Sequence, residues 1–235
     1  MKIFFTFLFT VSINLINAQE TGNLIYTNPL SSESDLDSWV MEGVGETKFS
    51  NGWMQMFSPD EAAHHVYWCP VELPASFVAE WEVRNKHPEA GLCIVFFAAT
   101  GKNGQDVFSS ELKPRNGIFK QYTKGDVNNY HISYYANTPS QKHRPYTHLR
   151  KNSGFHKVQV GKAGILHYSE KTHRVRLVKN IGRIQMYIDG ALIIDWLDDG
   201  KQHGPILGAG KIGFRQMKWT RFEYRNLRIW EFPKK

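Results

Sequence analysis

The segment Thr172 to Trp196, THRVRLVKNIGRIQMYIDGALIIDW, constrains the fold of this chain more than any other. Val175 and Leu177 alternate with Arg174, Arg176 and Val178, and Ile184, Met186 and Ile188 alternate with Gln185 and Tyr187. Successive side chains of a strand point to opposite faces, so a period of two predicts half-buried strands. Asn180 to Gly182 closes the first turn, and Asp189-Gly190 supplies the pair that tolerates positive φ in a two-residue hairpin. A third strand, Ala191 to Trp196, follows at once. Three antiparallel strands cannot bury their own apolar face, so the rest of the chain has to supply a second layer.

The remaining sequence offers the strands for it. Trp39 to Glu42, Glu46 to Phe49 and Trp53 to Phe57 alternate, with Asn51-Gly52 as a hairpin turn between the last two. Ser31 to Asp37 is a polar loop or one helical turn. His64 to Trp68 reads as an aromatic strand ended by Cys69-Pro70, because proline cannot donate to a ladder. Ser76 to Asn85 and Leu92 to Ala99 form the next pair, joined by HPEAG, and Gly210 to Gln216 and Phe222 to Phe232 close the series. Helical periodicity is weak beyond the N-terminus, and the class is all-β.

A strand ending Tyr-x-Asp-Gly, followed by an apolar strand ending in Trp, resembles the hairpin of concanavalin A-like lectin/glucanase sandwiches. FSSELKPRNGIFKQYTKGDVNNYHISYYAN at Phe108 to Asn137, HLRKNSGF at His148 to Phe155, and the closing KIGFRQM and YRNLRIWEF narrow the resemblance to the YesU-like family of glycan-locus proteins. The resemblance implies a concanavalin A-like jelly-roll β-sandwich of two antiparallel sheets. It also implies a carbohydrate context, and it does so more firmly than it implies a reaction.

Lys2, the apolar run Ile3 to Ile16 and Asn17-Ala18-Gln19 read as a secretory signal cleaved after Ala18, too short for a permanent membrane span. Of 235 residues, about 217 then remain, 19 to 235, enough for one large sandwich and short for two. The expected location is the periplasm or the medium. The net charge of +7 gathers in the middle of the chain, where Arg115, Lys120, Arg144, Arg150, Lys151 and Lys157 lie. In an exported protein that charge points to an acidic oligosaccharide or polysaccharide before nucleic acid. Cys69 and Cys93 are the only cysteines, and the sequence leaves open whether they pair or stay as buried thiols. No cofactor motif is present, and no spacing demands a metal, although loop Asp residues and carbonyls would suit a structural calcium ion.

Strand alternation makes YHISYYAN the most informative chemical stretch. Tyr130, Ile132 and Tyr134 fall on one face; His131, Ser133, Tyr135 and Asn137 fall on the other. With the apolar set inward, His131, Tyr135 and Asn137 are expected on an open face, in what the resemblance implies is a glycan groove. A neutral His accepts a proton near pH 7, Tyr donates one, and Arg or Asn neutralises a uronate carboxylate. These are the parts of β-elimination, with His131 as base, Tyr135 as acid, and Arg150 with Asn137 as stabilisers. Arg115, Arg144 and Lys151 are the other cationic candidates; the resemblance carried by HLRKNSGF favours Arg150, and an arginine offers a carboxylate a planar fork.

Glu80 and Glu82 in AEWEVR are the competing pair. They share a strand face about 6.6 Å apart along the backbone, a spacing that suits acid and nucleophile in glycoside hydrolysis. Arg84 occupies the third position of the row, where lectin-like glucanases carry another carboxylate. Trp53, Trp68 and Trp219 are candidate platforms for sugar rings. Three functions stay open: a polysaccharide lyase on acidic glycans, a glycoside hydrolase using Glu80 and Glu82, and a lectin-like module without turnover.

Overall fold

The computed structural model describes residues 21–87, 91–137 and 144–233. The expected leader, residues 1–18, lies outside the described residues, as does part of HPEAG. Among the described residues fifteen strands, numbered in chain order, build two antiparallel sheets. The first runs β13 (Ala191–Leu197), β12 (Arg183–Ile188), β11 (His173–Asn180), β6 (Ser76–Asn85), β15 (Phe222–Glu231), β4 (Trp53–Phe57) and β3 (Glu46–Ser50), with β1 (Leu24–Asn28) also paired to β15. The second runs β10 (His156–Val160), β9 (His148–Asn152), β8 (Val127–Asn137), β7 (Gly91–Gly101), β14 (Gly210–Gln216), β5 (His65–Leu73) and β2 (Val40–Gly43). Among the described residues the α-helix is confined to α1 (Phe119–Thr123). The jelly-roll expectation of two antiparallel sheets is met.

The predicted turns owe their form to backbone chemistry. Asn51 and Gly52 have φ of +51° and +74°, and Asp189 and Gly190 have +51° and +82°. Nothing lies within 4 Å of a Cβ built on either glycine, so conformation and not crowding selects Gly at both turns.

One expected boundary is corrected. β5 does not stop at Cys69-Pro70 but continues to Leu73. Its pairing with β14 jumps from Glu72 opposite Lys211 to Trp68 opposite Gly213. Pro70 falls inside that bulge, where its missing N–H breaks no ladder bond, and its carbonyl accepts from Lys211 Nζ at 2.6 Å.

Between the sheets, Phe77, Trp81 and Val83 of β6 meet Val95 and Phe97 of β7, Tyr130 and Tyr134 of β8, and Phe214 of β14. Trp81 sits edge-on to Phe214 at 5.3 Å and to Tyr134 at 6.2 Å. Cys69 and Cys93 belong to this core as free, buried thiols, and burial pushes the Cys69 thiol up to about 12. Alternate residues of β7, Ile94 and Phe96, turn to the opposite face of the second sheet. There they join Val66, Trp68, Val107, Leu112 and Tyr122 in a smaller core. The chain between β7 and β8 therefore roofs part of that outer face. Arg115 pins the roof: its Nη2 and Nε donate to Glu42 at 2.6 and 3.2 Å, and Trp68 Nε1 donates to the same carboxylate at 3.0 Å. Arg115, a cationic candidate, is thereby a loop anchor.

Candidate functional site

Cross-strand register lines up two rows on the outer face of the second sheet. Lys157, Arg150, His131, Phe96, Gly213 and Trp68 oppose one another in turn along the first. His148, Ser133, Ile94, Arg215 and Val66 form the second. Same-face residues two apart on a strand are separated by about 7 Å, so the cations of both rows share one patch. The His148 ring feels them: burial lowers its pKa first, and Arg150, Lys157 and Arg144 lower it further.

At the centre, His131 is only 1% exposed. A relay of hydrogen bonds sets its tautomer. Asn129 Nδ2 donates to the Tyr122 carbonyl at 2.8 Å, which leaves Asn129 Oδ1 as an acceptor for Asn152 Nδ2 at 2.7 Å. The same Asn152 amide lies 2.8 Å from His131 Nδ1 and donates to it. The ring proton then belongs on Nε2, a buried atom with no partner among the described residues. Burial, followed by Arg150, Arg215 and His148, holds the imidazole well below its ordinary pKa. The neutral ring thus presents a donor and no free lone pair, the opposite polarity to the expected base.

Two guanidiniums flank this ring. Arg215 is fully buried and lies 4.4 Å over Phe119; Arg150 is half-buried and lies 4.2 Å over Phe155. The two phenylalanines meet edge to face at 5.4 Å, and His131 packs on both, at 5.6 Å from Phe119 and 6.0 Å from Phe155. Ring faces attract the cations, but they do not satisfy N–H groups. Arg215 Nη1 reaches the Met217 sulfur at 3.1 Å, while Arg215 Nε and Nη2 and Arg150 Nη1 have no acceptor among the described residues. Burial alone lowers the Arg150 pKa, and burial brings that of Arg215 to about 10. Arg215, Phe119 and Phe155 were not singled out from the sequence. The available signal was an arginine directly after Phe214 in a strand, GKIGFRQ, whose every residue is buried.

Other expected residues lie elsewhere. The pairing of β7 with β8 shifts between Cys93 opposite Tyr135 and Ile94 opposite Ser133, so Tyr134 is the extra residue of a bulge. That bulge inverts the parity beyond it. Tyr135 enters the core, packs on Phe222 at 5.1 Å and accepts from Asn85 Nδ2 at 2.9 Å. Burial raises its phenol to about 12, and it shares a side-chain hydrogen bond with Asn137. Asn137 also meets His167 Nδ1 at 2.7 Å. Neither Tyr135 nor Asn137 joins His131, a correction to the proposed acid and stabiliser. Ser133 stays on the His131 face, half-buried. Arg144 is exposed near His148. Lys151 has the opposite parity to Arg150, is buried, and pairs with Asp198 at 2.6 Å; it is a structural cation and not a ligand contact.

Glu80, Glu82 and Trp53 belong to the other sheet. Glu80 is held by Arg174 and Arg176, and Glu82 accepts from Arg225 Nε at 2.6 Å. Trp53 is buried between the guanidiniums of Arg84 at 4.3 Å and Arg225 at 4.1 Å. The proposed hydrolytic pair is an ion-pair ladder across β11, β6 and β15, and the proposed sugar platform is the filling of a cation–π stack. Trp219 is half-buried beside His64 at 6.0 Å, its Nε1 without a partner among the described residues. Those residues hold no cluster of three or more His, Cys, Asp or Glu suited to a metal ion. None of their helices is long and apolar enough to cross a membrane.

Residues 23–229 match a family model described as "Domain of unknown function (DUF1961)". The chain is 36% identical over 211 residues to "Uncharacterized protein YesU" of Bacillus subtilis (strain 168), covering 88% of this chain and 96% of that protein. A crystal structure of a protein of unknown function with a galectin-like fold, also from Bacillus subtilis, superposes with a TM-score of 0.86 at 34% identity, covering 90% and 97% of the two chains. The carbohydrate binding module CBM66 from Bacillus subtilis superposes with a TM-score of 0.54 at 14% identity over 83% of this chain and 96% of that one, a likeness of fold.

Proposed function

This chain belongs to the family described as "Domain of unknown function (DUF1961)", and on that premise we propose that it is an exported glycan-binding sandwich that takes an acidic saccharide on the outer face of its second sheet. The observation that carries the reading is the set of N–H groups at Arg150, Arg215 and His131 that have no acceptor among the described residues. A guanidinium buried without a carboxylate is costly; Arg150 is the half-buried one of the two, and its planar fork suits a uronate or sulfate oxygen arriving from the surface. Phe119 and Phe155 supply apolar faces for the C–H side of a sugar ring. The related fold of a carbohydrate binding module gives independent support.

Binding without turnover is the reading preferred over elimination. A lyase needs a proton acceptor at the sugar, and the lone pair of His131 is directed at Asn152. Hydrolysis through Glu80 and Glu82 has no support from carboxylates that arginines already hold.

Calorimetric titration with galacturonate oligomers and the matching neutral oligosaccharide tests the reading. The expected result is binding of the acidic ligand, weakened by salt, with the neutral one at least about tenfold weaker and no new C=C absorbance. Equal affinity for both, or no binding to pectic, alginate-type and glycosaminoglycan oligomers alike, overturns it.

A further inference from the structure

Away from that patch, the chain between β10 and β11 and the turn after β12 enclose a cavity of about 450 Å³. Its wall includes Leu166, Ile188 and Ile193 together with Ser169, His173 and Asp189. The last three form a chain of contacts through His173. Ser169 Oγ lies 2.6 Å from His173 Nε2, and His173 Nδ1 lies 2.8 Å from Asp189 Oδ2. His173 is 4% exposed, and Ser169 is half-buried.

The polarity of this histidine is the reverse of that of His131. A carboxylate only accepts, so Asp189 sets the proton on Nδ1 and leaves the Nε2 lone pair facing the serine hydroxyl. Asp189 is itself held: its Oδ1 accepts the Arg174 N–H at 2.9 Å, and its own N–H donates to the Arg174 carbonyl at 2.9 Å. Ser169 is presented by a tight turn in which its N–H donates to the Leu166 carbonyl at 3.1 Å, and the preceding Tyr168 has φ of +61°. Nucleophile, base and orienting acid within hydrogen-bond reach at the edge of a cavity form the arrangement of nucleophilic acyl transfer.

We propose that Ser169, His173 and Asp189 form a second site, independent of the saccharide patch, that hydrolyses carboxylic esters of a short acyl group. The cavity suits that class: its volume accommodates a small molecule, and Leu166, Ile188 and Ile193 offer the acyl chain an apolar wall. Ser169 Oγ attacks the carbonyl carbon while its proton passes to His173 Nε2. The C–O bond to the alcohol breaks, and that proton leaves with the departing oxygen. Water, deprotonated by the same nitrogen, then attacks the acyl-serine; the carboxylic acid is released as the ester C–O bond breaks, and the proton passes from His173 Nε2 back to Ser169 Oγ. Water is the sole co-reactant, and no electrons change hands.

The test uses p-nitrophenyl acetate and butyrate, with a fluorophosphonate probe localised by mass spectrometry. Wild type is expected to release nitrophenolate faster than an equal concentration of free imidazole and to carry the probe on Ser169. Ser169→Ala, which alters no core residue, is expected to keep its melting temperature, lose the label and lose about 1,000-fold or more in rate. Asp189→Asn, which tolerates the same positive φ, is expected to keep the probe site but lose rate by a similar factor, because the ring is then free to take the wrong tautomer. A folded Ser169→Ala variant that retains turnover overturns the proposal, as does a wild type that is neither labelled on Ser169 nor faster than imidazole. Glycan titration reads the other face, so failure of either site leaves the other standing.

Discussion

Asn152 donates to Nδ1 of His131 at 2.8 Å, and this one bond makes the most reactive-looking histidine of the central strand a donor. The ring is expected to remain neutral with its proton on Nε2. Nitrogen-15 spectra of the imidazole between pH 8 and 5 should show an unchanging Nε2–H tautomer, because burial and the neighbouring Arg150 and Arg215 disfavour the cation. A titration centred near 6.5 would contradict the relay through Asn129.

Arg215 is expected to cost stability for the sake of binding. Arg215→Met removes a buried guanidinium that has no carboxylate partner and keeps its apolar length, so the melting temperature should rise by a few degrees, corresponding to about 1 kcal/mol. The same variant should lose at least about tenfold in affinity for galacturonate oligomers. A variant that melts lower and binds equally well would remove Arg215 from the site.

Lys151 should behave in the opposite way. It pairs with Asp198 in a site where both side chains are almost wholly buried, so Lys151→Ala leaves that carboxylate without its paired cation, held among the described residues only by the Tyr130 hydroxyl and the Gly200 N–H. A loss of about 3–5 kcal/mol in urea unfolding is expected, with unchanged saccharide affinity per folded molecule. Loss of affinity at full stability would return Lys151 to the binding residues.

Acid should destabilise the fold well before its carboxylates titrate. His65 is fully buried and His64 half-buried, and burial first and Arg215 second lower both to about 4. A histidine whose folded pKa lies below its unfolded value takes up a proton on unfolding. Its contribution is therefore complete above about pH 6.5 and falls away as pH drops toward 4. For His65 that amounts to about 3 kcal/mol. Urea midpoints should decline from pH 7 to pH 4.5, less steeply in His65→Gln. A flat profile would count against the buried neutral rings.

Taken alone, the sequence determined the all-β class, most of the strand spans and the family. The reason is local: period-two alternation and the pairs Asn51-Gly52 and Asp189-Gly190 act through nearest neighbours, which one chain already contains. Alternation also placed His131 and Ser133 on one face, because both precede the break at Tyr134, but that face is not the open groove expected there: His131 is covered, with 1% exposure. Tertiary structure alone decided the rest. One extra residue at Tyr134 turned Tyr135 and Asn137 to the other side, and a bulge carried β5 through Pro70. The proton on His131 was set by Asn129 and Asn152, and Arg215 met Phe119 only across the sheet. Ser169, His173 and Asp189 came together through a turn and a hairpin end. Bulges and hydrogen-bond relays depend on which strand lies alongside, and period-two patterning does not encode that partner.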